Sequence, residues 1–146
     1  MDKAELFTDG EVYERMMGRW SRLAGETFLA WLDLPKGLRW LDVGCGNGAF
    51  TEEIVARCAP ATVMAIDPSD QQLAFARTRP GAKMAKFEAG DAQNLSFGDG
   101  TFDVAIMALV LAFLLDPAKA VAEMARVVRP GGWVATYMWD IQNGGA

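Results

Sequence analysis

At 146 residues, with 51% apolar and 23% charged side chains, the chain has the size and composition of a single soluble globular domain. Its net charge of −5 disfavours binding to a nucleic-acid backbone, which calls for clustered Lys and Arg. Cys45 and Cys58 read as reduced thiols of a cytoplasmic protein rather than a disulfide framework. The charged start Met1-Asp2-Lys3-Ala4-Glu5 does not read as a secretory signal, and the longest apolar run, 104–115, is too short to span a bilayer.

Taken in order, residues 11–32 carry Val12, Met16, Trp20, Leu23, Phe28 and Trp31 among charges, which predicts one or two amphipathic helices broken near Gly18 or Gly25. A strand over 38–43 follows, with Trp40, Leu41 and Val43 buried. It leads through Gly44-Cys45-Gly46-Asn47-Gly48 into a helix over 47–58, capped by Asn47, whose Phe50, Ile54, Val55 and Cys58 recur at helical spacing. Glycines in such a strand-to-helix turn accept positive φ and let a ligand rest on the backbone. A second strand over 62–67 ends in Asp67, where a carboxylate can accept hydrogen bonds from both hydroxyls of a ribose.

A helix over 69–78 comes next, then a third strand over 84–88 closed by Gly90-Asp91-Ala92. The turn Gly98-Asp99-Gly100 introduces a fourth strand over 102–107. A helix over 116–129 and a fifth strand over 132–139 complete the alternation, with Arg129-Pro130-Gly131-Gly132 reading as a helix-ending turn. Strands joined by helical crossovers predict an α/β fold: a doubly wound, Rossmann-like parallel sheet of order 3-2-1-4-5, preceded by N-terminal helices. Its switch point lies between strands 1 and 4, so the glycine loop and Met107-Ala108-Leu109 flank one crevice. Gly44, Gly46 and Ala49 alone also satisfy the fingerprint of a nicotinamide dinucleotide-binding domain.

The order and spacing of LDVGCGNG at 41–48, AIDPS at 65–69, EAGDAQNLSF at 88–97, FDVAIMALVLAFLLDP at 102–117 and RVVRPGG at 126–132 narrow the choice. Together they resemble the class I S-adenosylmethionine-dependent methyltransferases of the small-molecule type, over nearly the whole chain from roughly Asp9. Asp42 ahead of the first glycine, the tight glycine spacing and the GDA after strand 3 are not what a pyrophosphate loop calls for. The resemblance implies S-adenosylmethionine as cofactor, a small-molecule methyl acceptor and no metal. It also implies a cofactor site drawn from Asp42, Gly44, Cys45, Gly46, Gly48, Asp67, Pro68, Gln72, Asp91, Ala92, Met107 and Ala108.

In that site Gly44 to Gly48 lie beneath the methionyl arm and Asp67 holds the ribose. Asp42 is at once a buried carboxylate satisfied by loop amides and an orienter of the methionyl amine. Asp91 either accepts from the adenine amine or serves a turn. Gln72 departs from the apolar residue the family often sets against adenine. The segment YERMMGRWSR resembles the N-terminal lid of some members, which adds Tyr13 and Arg19 to the cofactor-binding set, against the bland alternative of an exposed Arg19 with Trp20 in the core. Residues 1–37 are then a helical lid segment and 38–146 the cofactor-binding domain.

Two expectations concern what the resemblance does not find. In the family a strand like 133–138 is followed by another helix and an antiparallel hairpin, so strands 6 and 7 are absent here. Strand 5 would be an uncovered apolar edge, inviting a homodimer or other partner, or marking a fragment of a longer protein. The chain has no histidine, and Ala112-Phe113 stand where many relatives place one. A base would have to be Asp116, Tyr137 or a residue outside this chain, and no catalytic residue is assigned. The alternative to an enzyme is a non-catalytic cofactor-binding module that needs a partner.

Overall fold

The structure, a computed structural model, describes residues 10–140 and 142, with side chains from Met17 onward. Helix α1 (Gly10–Leu32) is followed by β1 (Arg39–Val43), α2 (Ala49–Cys58), β2 (Thr62–Asp67), α3 (Asp70–Ala76), β3 (Lys86–Ala89), β4 (Phe102–Ala108), α4 (Pro117–Val127) and β5 (Val128–Tyr137). The five strands form one sheet of order β3-β2-β1-β4-β5, and every pairing is parallel, as the strand-helix alternation predicts. Among the described residues, no helix is long and apolar enough to cross a membrane.

Parallel sheets of this kind are covered on both faces, which is why β4 is buried without interruption from Phe102 to Met107. One face packs Leu41, Val43, Ala105 and Met107 against Ala120, Met124 and Val127 of α4. The other packs Trp40, Val104 and Ile106 against Ile54 of α2 and Leu29 of α1, with Phe28 and Phe50 alongside.

Three segments differ locally from what the sequence predicts. First, α1 is one continuous helix with no break at Gly18 or Gly25. A Cβ on Gly25 would lie 3.1 Å from Cδ2 of Phe50 and 3.4 Å from Oη of Tyr137, so this glycine serves the close seating of α1 on α2 and β5. Second, α2 begins at Ala49 with Gly48 (φ 84°) in the cap position. Asn47 still receives the Ala49 N–H on its Oδ1, at 3.1 Å.

Third, Arg129 to Gly132 are not a helix-ending turn, since α4 passes directly into β5. They bulge out of β5, whose register against β4 jumps from Phe102↔Val128 to Val104↔Trp133. Pro130 is tolerated because β5 is an edge strand, and a Cβ on Gly132 would collide with the carbonyl oxygen of Asp103. Among the described residues β5 pairs with β4 alone, so its outer edge is unpaired.

Asp103, which the sequence reading did not single out, ties three strands at their amino ends. Its Oδ2 accepts the Arg39 backbone N–H at 2.7 Å, and its Oδ1 accepts Nη2 of Arg39 at 3.0 Å and Nε of Arg129 at 2.7 Å. The Arg39 contacts, with Arg129 adding, hold the carboxyl far below the usual carboxylate range.

Seating α1 on a glycine carries a measurable consequence. Gly25→Val should overpack the contact with Phe50 and Tyr137, costing about 1–3 kcal/mol and lowering Tm by several degrees in thermal denaturation followed by circular dichroism. An unchanged Tm would show that α1 does not rest on Phe50.

Candidate functional site

At the carboxyl ends of β1, β4 and β5 and the start of α3 the chain encloses an open cavity of about 1000 Å³. Its walls come from α1 (Ser21, Arg22, Gly25), the end of β1 and the β1–α2 loop (Asp42, Gly44, Cys45, Gly46), α3 and the residue before it (Ser69, Gln72, Phe75) and the ends of β4 and β5 (Ala108, Leu109, Tyr137). This is the crevice at the switch point of a doubly wound sheet, because loops leaving β1 and β4 depart toward opposite faces.

The β1–α2 loop is fixed by hydrogen bonds rather than by side-chain packing alone. The amides of Gly44 and Cys45 both donate to the carbonyl of Ile66 at 2.9 Å. Asp67 receives the Gly46 N–H on Oδ2 and the Ser69 N–H on Oδ1, each at 2.9 Å, and so joins this loop to the start of α3. The three glycines do different work. Cβ atoms on Gly44 and Gly48 would meet Val110 at 2.8 Å and Ala76 at 2.9 Å, so those positions permit tight packing. Gly46, at φ +53°, would meet nothing within 4 Å, and its bare backbone forms an open floor of the cavity.

Asp42 is 1% exposed and is not satisfied by loop amides, contrary to expectation. Its Oδ2 accepts the Thr51 hydroxyl at 2.6 Å, while its Oδ1 has no partner; among the described residues, only it and Trp40 Nε1 are buried side-chain polar atoms left unpaired. Burial pushes the carboxyl up to about 7; the Thr51 bond opposes this and the charge of Asp67 adds to it. A buried acceptor without a donor costs free energy until one arrives, and a primary ammonium would supply both the N–H and the charge.

Of the other expected site residues, Gln72 and Ala108 line the cavity. Cys45 lines it too, but its thiol is buried beside Leu73 and Ala76, and burial raises its pKa well above the thiol range. Met107 is fully buried in the core, so its side chain offers the cavity no surface; alternation along β4 hands the wall to Ala108. Gly48 is buried against α3, and Ala92 packs at the core margin. Pro68 is exposed and is not among the wall residues.

Asp91 does turn work: its Oδ1 accepts the Gln93 N–H at 2.8 Å and its carbonyl the Asn94 N–H at 3.0 Å. Arg19 is exposed and off the cavity wall, and Trp20 is 60% exposed rather than in the core. The side chain of Tyr13 lies outside the described residues.

Neither candidate base stands as one. Asp116 caps α4 by accepting the Lys119 N–H at 3.1 Å, away from the cavity. Tyr137 does line the cavity, yet burial and then the charge of Asp42 push its phenol well above its usual value, so it stays protonated. The wall residues that the sequence did not point to include Phe50, Phe75 and Trp139. Aromatic side chains just past the glycine loop and at the carboxyl end of β5 were the available signal.

A family profile described as a methyltransferase domain matches residues 41–136. A malonyl-[acyl-carrier protein] O-methyltransferase of Pectobacterium atrosepticum is 35% identical over 114 residues, covering 78% of this chain and 44% of that protein. Among solved structures, the [4+2]-cyclase SpnF superposes with a TM-score of 0.69 at 30% identity, covering 77% of this chain and 43% of that one. A Thermotoga maritima protein described as a SAM-dependent methyltransferase, possible histamine N-methyltransferase, superposes with a TM-score of 0.66 at 27% identity, covering 84% and 54%. The chain spans 36–47% of the length of the first curated relatives it matches.

The buried carboxyl predicts a pH signature of stability. Because the folded value of Asp42 lies above its ordinary 3.8, the folded state holds the proton more tightly. The resulting stabilisation is complete below about pH 4 and is lost as pH rises through about 7, by at most about 1.4 kcal/mol per pH unit. Urea denaturation from pH 5 to 8 should show this decline in the unliganded wild type and a flatter profile in Asp42→Asn. Equal slopes would mean that Asp42 is not held in a desolvated site.

Proposed function

This chain belongs to the family of methyltransferase domains, and from that premise we propose that it binds S-adenosylmethionine and serves methyl transfer to a small-molecule acceptor. The observation that carries the reading is the unpartnered Oδ1 of buried Asp42 beside the open floor at Gly46. The residues fit the cofactor: Asp42 receives the methionyl ammonium, and Gly46 leaves room for the methionyl arm. Asp67 has lone pairs beyond those used by Gly46 and Ser69, and these accept the ribose hydroxyls. Gln72 and the Phe75 ring stand at the adenine side, and α1, within the 1–37 lid segment, supplies a wall of the cavity in the 38–146 binding domain.

When bound, S-adenosylmethionine supplies an electrophilic methyl group on a sulfonium. The chain's own part is alignment and exclusion of water, since neither Asp116 nor Tyr137 stands as a base. Acceptors whose nucleophile needs no deprotonation by the protein suit such a site. A pyrophosphate would meet the buried carboxylate of Asp42, which argues against a dinucleotide. The net charge of −5 favours a small molecule over nucleic acid, and free Cys45 and Cys58 suit a cytoplasmic setting. The edge of β5, unpaired among the described residues, supports the second reading, a cofactor-binding part completed by a partner or a second copy.

Calorimetric titration with S-adenosylhomocysteine, which keeps the amine and ribose, tests the assignment. Since Asp42 must be ionised to hold an ammonium, affinity should rise with pH through about 7, with proton release visible as a dependence of heat on buffer. Asp42→Asn should weaken binding about ten- to a hundred-fold and flatten the pH dependence. Gly46→Val should abolish binding while leaving the circular dichroism spectrum intact. No binding by the wild type, or undiminished binding by both variants, would overturn the cofactor assignment.

A further inference from the structure

Asp67 and the Ile66 carbonyl hold the entry of the glycine loop, and its exit is held from elsewhere. Gly46 stands in a turn at φ +53°, closed by the Gly48 N–H, which donates to the Cys45 carbonyl at 3.0 Å, with Gly48 itself at φ +84°. Glycine accepts either sign of φ at little cost, so the peptide plane between Asn47 and Gly48 is free to rotate unless both of its polar groups are held. The N–H of that plane makes the turn bond. Its carbonyl, on Asn47, accepts Nε of Arg79 at 2.7 Å, from a segment 32 residues further along the chain.

The neighbours of Arg79 deliver it to this point. Pro80 keeps the residue before it extended (φ −70°, ψ 118°), which ends the helical path after α3 and lets the Arg79 side chain fold back over the loop. Gly81, in the short 3₁₀ turn Pro80–Ala82, seats directly on α2, because a Cβ there would lie 2.7 Å from Cγ of Glu52. The Arg79 guanidinium then lies 5.4 Å from the centre of the Phe75 ring and 3.9 Å from Oε2 of Glu52. Phe75 lines the cavity and Arg79 does not. Arg79 therefore stands behind the wall, touching the floor turn and the Phe75 ring at once.

We propose that Arg79 is a positioning residue of the cofactor site: by holding the Asn47 carbonyl and bracing the Phe75 ring, it selects the loop conformation that leaves Gly46 as an open floor. Its role toward a cofactor rests on the reading given above, whereas its hold on the turn is a property of the unliganded chain. Without the Arg79 bond the loop is shared among conformers, and affinity falls in proportion to the time spent in the competent one. Loss of a charge-assisted bond is large enough to bring that fraction to about a third or less.

The experiment follows amide hydrogen exchange of the full chain by NMR, with calorimetric titration of S-adenosylhomocysteine, in the wild type, Arg79→Met and Arg79→Lys. Methionine keeps an unbranched stem and removes both donor and charge. In unliganded Arg79→Met the buried Gly48 amide should exchange at least about ten-fold faster while the amides of β4 exchange as in the wild type, and S-adenosylhomocysteine should bind about three-fold or more weakly. Saturating ligand should restore the protection of Gly48, because it selects the formed turn. Arg79→Lys, whose Nζ is able to donate to the same carbonyl, should lie between the two. An Arg79→Met chain that keeps the protection of Gly48, or loses it and still binds as tightly as the wild type, would overturn the proposal. So would exchange that rises equally in β4, the mark of a general loss of stability. A wild type that ignores S-adenosylhomocysteine while Gly48 still depends on Arg79 would remove the cofactor reading and leave the hold on the floor standing.

Discussion

A single carboxylate joins the two loops on which the site is built. Asp67 ends β2, and by accepting the amides of Gly46 and Ser69 it fixes the floor of the cavity and the entry into α3 together. The adjoining amides of Gly44 and Cys45 are fixed on the Ile66 carbonyl one residue earlier. Four backbone donors from two loops therefore converge on the end of one strand, which is possible only because β1 and β2 are parallel neighbours whose carboxyl ends lie side by side. A loop ordered in this way before a ligand arrives loses little further conformational freedom on binding, so the affinity of the site need not be spent on ordering it.

Two buried carboxylates on neighbouring strands show how the fold divides stability from binding. Asp103, near the amino end of β4, is gripped by Arg39 and Arg129 and contributes to holding β1, β4 and β5 in register. Asp42, at the other end of β1, has one hydroxyl on one oxygen and nothing on the other. The first is compensated from within the chain and its acidity is strengthened; the second is left under-compensated and its acidity is weakened. An incompletely satisfied buried acid is a cost to folding, and it stands where a ligand can supply what is missing.

How much of this was legible depended on whether the determining contact was local. The strand order, the place of the glycine loop and the position of Asp67 followed from the alternation of apolar runs and the residues that close them. Gly25 could not be told from a helix breaker, because its role is set by Phe50 and Tyr137, distant in sequence. Arg129-Pro130-Gly131-Gly132 carries the same residues whether it stops a helix or bulges an edge strand; the carbonyl of Asp103 decides which. Met107 and Ala108 were equivalent on paper because a strand covered on both faces loses the alternation that marks its sides. Asp103 was invisible for the same reason, being one polar residue in a buried run whose partners lie on two other strands.

The two ends of the cavity therefore differ in how they are encoded. The end with Asp42, Gly46, Ser69 and Gln72, braced by Asp67, comes from one continuous stretch, residues 42–72, whose geometry follows from two strand-to-helix turns and the hydrogen bonds between them. The aromatic end is assembled from α1, the start of α2, the loop after β4 and the end of β5, elements that meet only in the folded chain. Hydrogen bonds to backbone amides fix the first end, so a side-chain change there either removes a specific partner or fills the floor. Ring packing fixes the second, and exposed Phe113 and strained Leu109 are changed at little cost to the core. Substitution at the aromatic end can thus reshape that wall of the cavity while leaving the Asp67 clamp and the Asp42 carboxylate where they are.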